Sequence, residues 1–116
     1  MLFVQIMNTR AQELGCTNTV FTNPTGLPDE NQHITAHDMA LIMEAAMAND
    51  TFRTIAATTS YTLPATNVSG GERVLTNNFT MINSTSDSYY KPCIGGKEGY
   101  TEAPEVPWYV KLPKIT

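Results

Sequence analysis

At 116 residues, with 41% hydrophobic and 16% charged residues, the chain is the size of one domain and has enough apolar content for a core. Its net charge of -4 argues against a nucleic-acid partner, which needs a basic face, and against electrostatic attraction to an anionic membrane. No run approaches the roughly 20 apolar residues of a membrane span. Residues 1–7 are apolar but lack the basic start of a signal peptide, and their run breaks at Gln5 and Asn8, so no export signal is expected in the chain as it stands.

In chain order, residues 3–14 read as a helix. Phe3, Ile6, Met7, Ala11 and Leu14 recur at three- and four-residue intervals, and Gly15 is a natural stop. Residues 17–28 are turn-rich, with Asn23-Pro24 and Gly26 as breakers, and read as an irregular loop packed down by Val20, Phe21 and Leu27. Thr35 starts the clearest helix. Thr35-x-x-Asp38 has the form of a capping box: the threonine oxygen accepts from the Asp38 amide and the carboxylate reaches back. Met39, Ile42, Met43, Ala46 and Met47 form one apolar stripe, and the helix is expected to end near Asn49. Asp50 then caps a shorter helix through Ala57 that carries Phe52 and Ile55.

Residues 58–63 are rich in β-formers and end at Pro64, which predicts a strand. Residues 67–71 read as a turn or flexible loop. Residues 73–82 are ambiguous, with a short helix from Asn77 preferred. Residues 84–88 form a polar loop, and 89–101 a strand that carries Lys97-Glu98-Gly99. After Ala103 the composition changes. Pro104, Pro107 and Pro113 punctuate a tail in which Trp108-Tyr109-Val110 fits one short strand. The expected organisation is therefore a domain portion over 1–103 and a divergent tail over 104–116.

Cys16 and Cys93 are too few for a disulfide scaffold; they read as two small buried thiols, with a single bridge as the alternative. Neither has a second ligand at zinc spacing, so no metal and no cofactor is expected. His33 and His37 straddle a cap and read as satisfied polar histidines, and the methionine stripe reads as core. Ser88-Tyr89-Tyr90-Lys91 has Ser-x-x-Lys spacing, but Pro92 follows and no apolar helix continues, so it reads as an exposed loop end. Ser-x-Asn occurs nowhere. Asn67-Val68-Ser69, Asn78-Phe79-Thr80 and Asn83-Ser84-Thr85 are glycosylation sequons by pattern, of a kind that an Asn/Ser/Thr-rich chain produces by chance.

Several motifs recur together in one order. Phe3-Val4 with Met7-Asn8 comes first. Next come Leu14-Gly15-Cys16-Thr17-Asn18-Thr19-Val20-Phe21-Thr22-Asn23-Pro24-Thr25-Gly26-Leu27 and His33-Ile34-Thr35-Ala36-His37-Asp38-Met39-Ala40. Tyr61, Leu75-Thr76-Asn77 and Gly96-Lys97-Glu98-Gly99-Tyr100-Thr101 follow. This combination resembles the serine D-alanyl-D-alanine carboxypeptidases, the low-molecular-mass penicillin-binding proteins, over roughly residues 2–103. Cys16 stands where a methionine is usual, Ile34 where a serine is usual, and Glu98 at the threonine of Lys-Thr-Gly.

The resemblance implies an α+β, mainly helical chain: part of the β-lactamase/transpeptidase-like fold with a few antiparallel strands. It implies a cell-envelope setting and chemistry on peptidoglycan stem peptides through an acyl-enzyme. By that resemblance Lys97 and Gly99 belong to the substrate-binding strand. The serine and lysine of the acylating motif lie upstream of the matched region, so no catalytic residue is assigned within this chain. Peptidoglycan peptide or β-lactam is expected as a partner only if the remaining half is supplied. Glu98 puts a carboxylate where a hydroxyl should receive an anionic terminus. Two like charges ~4 Å apart cost about 4 kcal/mol at an effective dielectric of ~20, enough to cancel a binding contact. Pairing of Glu98 with Lys97 is the other reading of that position.

Three functions follow for comparison. One is a piece of a carboxypeptidase, inactive alone. Another is a non-catalytic module that self-associates as a homo-oligomer through apolar faces left uncovered. The last, resting on the sequons alone, is a secreted glycoprotein domain.

Overall fold

Thr35 opens the central helix as its sequence predicts: its extended backbone and its hydroxyl, accepting from the Asp38 amide at 3.1 Å, cap α2 (Ala36–Met47). A computed structural model describes residues 2–99. In it α2 is preceded by α1 (Leu2–Glu13) and followed by α3 (Asp50–Ala57), β1 (Ser60–Leu63), β2 (Arg73–Thr76) and a single 3-10 turn at Thr80–Ile82. The result is α+β and mainly helical, as expected.

The apolar stripe of α2 makes the core. Met43, Met47 and Ala56 are buried together, with Met39 and Phe52 packed against them. Burying each methionine is worth about 2 kcal/mol. The joint between α2 and α3 differs from expectation by one residue. Asn49, not Asp50, is the cap: its extended backbone brings the side-chain oxygen to the Phe52 amide at 3.0 Å. Asp50 becomes a first-turn acid, favourable to the helix dipole, and pairs with Arg53.

β1 and β2 pair antiparallel with Ser60 opposite Thr76, Tyr61 opposite Leu75, Thr62 opposite Val74 and Leu63 opposite Arg73. Thr58 and Thr59 lie before the strand rather than in it. Thr58 caps α3, and Thr59 accepts from the Asn77 amide at 2.9 Å. The ambiguous segment 73–82 resolves into β2 and the 3-10 turn. The helix preferred from Asn77 does not form, because the Asn77 side chain accepts from Phe79 and donates to Thr58. Such local bonds compete with a helix.

The strand expected over 89–101 is absent from its described part, 89–99. Backbone amides there bond elsewhere instead: Tyr90 donates to the Met81 carbonyl nine residues back, and Cys93 to Tyr90 in a turn. Residues 100–116, including the strand expected at Trp108-Tyr109-Val110, lie outside the described residues. The 17–28 loop is also held differently. Val20 and Leu27 are exposed and Phe21 half-buried, so hydrogen bonds rather than apolar packing fix it. Asn8 on α1 makes a reciprocal pair with Phe21, donating to its carbonyl and accepting from its amide, both at 2.8 Å. On α1 itself only Ala11 of the predicted stripe is buried; Phe3 and Ile6 face solvent.

Candidate functional site

The segment that carries Lys97, Glu98 and Gly99 is seated by the two residues before it. Gly95 has φ +154°, where side-chain-bearing residues are strained, and a Cβ there would lie 3.2 Å from the Ala56 backbone and the Met47 methyl. Gly96 is buried, and a Cβ there would lie 2.4 Å from Cζ of Phe79, itself only 3% exposed. The chain therefore presses glycine backbone directly onto the core, and Lys97 emerges exposed from that seat. Sequence reasoning misses Gly95 and Phe79 as supports of this segment; the glycine doublet is the one signal that points to them.

Lys97 donates to the backbone carbonyl of Glu98, not to its carboxylate. The ion pairs found among the described residues join Arg10 to Glu13 and Arg53 to Asp50, so the Lys97–Glu98 pair is not formed there. Glu98 is half-buried, and Gly99 is open on the side where a Cβ would stand. An open glycine lets another backbone approach closely. Ser88 and Lys91 lie in turns rather than on a helix, and both are exposed.

A second cluster centres on Asp38, which is 1% exposed. The expected reach back along the capping box is replaced by a longer-range role. The carboxylate accepts from the Asn18 amide and the Thr19 hydroxyl, both at 2.8 Å, and the Cys16 thiol donates to the Asp38 carbonyl at 3.5 Å. Burial pushes the Asp38 carboxyl up. The contacts from Asn18, Thr19, His37 and Thr35 outweigh that and hold it below the usual carboxylate value. Burial, and then the Asp38 charge, push the Cys16 thiol up, against a smaller opposite effect of Thr19. Both cysteines are free thiols, Cys16 buried and Cys93 half-buried. Downstream, Asn23 accepts from the Thr25 hydroxyl at 2.8 Å and the Gly26 amide at 2.9 Å, and donates to the Leu27 carbonyl at 3.0 Å. Gly26 supplies the positive φ this turn requires. Among the described residues no cluster of three His, Cys, Asp or Glu could hold a metal ion, and no helix is long and apolar enough to cross a membrane.

The chain as a whole matches solved DD-peptidases. A D-alanyl-D-alanine carboxypeptidase of Mycobacterium tuberculosis superposes with a TM-score of 0.66 at 39% identity, covering 86% of this chain and 36% of that one. A mutant of the Streptomyces K15 DD-transpeptidase gives 0.66 at 33% identity, covering 86% and 38%. The fold is thus part of the DD-peptidase/transpeptidase class. Residues 1–106 match the model of the D-alanyl-D-alanine carboxypeptidases, peptidase family S11, and the chain belongs to that family. In sequence it is 40% identical over 99 residues to a curated D-alanyl-D-alanine carboxypeptidase of M. tuberculosis, covering 84% of this chain and 31% of the relative. The chain spans about a third of the length of the relatives it matches.

Proposed function

We propose that this chain forms the substrate-receiving part of a serine D-Ala-D-Ala carboxypeptidase that acts on peptidoglycan stem peptides at the cell envelope. Lys97 supplies the positive charge for the peptide's terminal carboxylate, and Gly99 lets the peptide backbone approach. The acylating serine and its lysine come from outside residues 1–116, so the chain alone does not turn over substrate. Family membership over residues 1–106 carries this reading. The exposed Lys97 on its glycine seat supports the role given to it. Glu98 is the residue that weakens carboxylate binding.

Two measurements test it. Incubation with a penicillin followed by intact-protein mass spectrometry should give no covalent adduct. An adduct would place a nucleophile in this chain, with Ser88 the first to examine. Titration with a peptide ending in D-Ala-D-Ala should shift amide resonances at 97–99. Glu98→Thr should tighten binding at least tenfold, since a tenfold change is only about 1.4 kcal/mol and the like-charge contact costs more than that. Unshifted resonances in both proteins would remove the site.

A second reading, self-association as a non-catalytic module, is favoured by the exposed Leu2, Phe3 and Ile6 on α1. Light scattering at tens of micromolar decides it: a monomer alone rejects a homo-oligomer.

A further inference from the structure

The glycine seat of Lys97 is gripped from two sides. On one side Gly95 lies against the last turn of α3: a Cβ on Gly95 would stand 3.2 Å from the Ala56 backbone. On the other, Gly96 lies against the buried ring of Phe79. The segment has few bonds of its own to hold it. Among the described residues no backbone–backbone hydrogen bond joins 96–99 to the rest of the chain. The Lys97 ammonium is exposed and donates to the carbonyl of its own neighbour, Glu98. The position of Lys97 therefore depends on the two surfaces that press on the glycines.

Asn77 joins those surfaces. Its side-chain amide donates to the Thr58 carbonyl at 2.9 Å, across 19 residues of sequence, and its side-chain oxygen accepts from the Phe79 amide at 2.9 Å. Its backbone amide donates to the Thr59 carbonyl at 2.9 Å. Thr58 caps the C-terminal end of α3, whose Ala56 backs Gly95, and Thr59 precedes β1. One half-buried side chain thus ties the end of α3 to the residue that backs Gly96. The link needs a donor and an acceptor on one short planar group. Asparagine has both, and an ionised aspartate has no donor.

We infer that Asn77 is a positioning residue for Lys97. Through Thr58 and Phe79 it closes a clamp, Ala56 on Gly95 and Phe79 on Gly96, that sets where the lysine emerges. A binding group keeps its geometry when its support is itself locked by packing and hydrogen bonds. The inference rests on the proposed reading of Lys97 as receiver of the peptide's carboxylate, and adds the residue that holds the receiver in place.

Amide nitrogen-15 relaxation, with titration by a peptide ending in D-Ala-D-Ala, tests it. In the parent, order parameters at 96–98 should lie near the rigid-backbone value of about 0.85, and in Asn77→Ala they should fall below about 0.6. Peptide affinity should fall about fivefold, the equivalent of roughly one net hydrogen bond. Asn77→Asp keeps the acceptor for Phe79 and loses the donor to Thr58. It should fall between the two, and it carries the test if Asn77→Ala does not fold. Asn8→Ala is the matched control, since Asn8 also bridges two backbone groups, both of Phe21 and outside the clamp. It should lower stability and leave both order at 96–98 and affinity unchanged. Flexible residues 96–98 in the parent overturn the inference, as does unchanged order in both Asn77 variants. Equal losses in Asn8→Ala overturn it in favour of a general effect of stability. A parent that binds no peptide, with 96–98 still loosened by Asn77→Ala, rejects the carboxypeptidase reading and upholds the clamp.

Discussion

Replacing Gly96 with alanine tests whether the glycine doublet seats the Lys97 segment. The added Cβ would stand 2.4, 2.5 and 2.9 Å from three atoms of the Phe79 ring. Ordinary carbon contacts lie at about 3.5–4.0 Å, so the ring or the segment must move by about 1 Å. Phe79 is 3% exposed, which leaves its ring little room to swing. Overpacking of this kind costs typically 1–3 kcal/mol. Taking about 2 kcal/mol, and about 4–8 °C per kcal/mol for a chain of this size, thermal unfolding should fall by about 10 °C. Phe79→Leu removes the opposing ring atoms. Combined with Gly96→Ala it should therefore cost less than the two single changes together, by about 1–2 kcal/mol. Denaturant unfolding of the four proteins completes the cycle. A Gly96→Ala protein within about 0.5 kcal/mol of the parent, or strictly additive effects, would refute the packing argument.

Asp38 sets an acid limit on stability. Its folded-state pKa is lowered, so its contribution is fully present above the unfolded carboxylate value of ~3.9 and is lost as pH falls through the folded-state value. Asp38→Asn should flatten that part of the stability–pH curve, and equilibrium unfolding between neutral and acid pH would show it; an unchanged acid slope would assign the loss to other groups. Asn49→Ala removes the cap of α3 and should cost about 1 kcal/mol, read by chemical denaturation, while Asp50→Ala should cost less. Equal costs would return the capping role to Asp50.

What could be read from the sequence was whatever local spacing controls. The Thr35 cap, the methionine stripe of α2, and the placing of α3 and β1 all depend on residues within a few positions of one another. The hydrogen bonds that fix the 16–33 loop do not. Asn8 meets Phe21 across 13 residues and Asp38 meets Asn18 across 20, and no periodicity signals such pairs. Segment 89–99 failed for a related reason. Tyr89, Tyr90 and Ile94 have strand propensity, but a strand needs a partner ladder, and Pro92 with the Gly95-Gly96 doublet breaks the run.

The same geometry separates two kinds of motif residue. Asn8, Asn23, Gly26 and Asp38 carry much of the family pattern, yet each spends its side chain or its backbone freedom holding a loop in place. In the most recognisable stretch of the chain these residues therefore act as scaffold. Under the proposed function, substrate recognition falls to the short segment after Gly96, where one substitution weighs more. A hydroxyl at position 98 would accept or donate at little electrostatic cost, whereas a half-buried carboxylate repels an anionic terminus and does not neutralise Lys97. Under the proposed function, position 98 sets how well the peptide is received, and Glu98→Thr is the change on which affinity should turn.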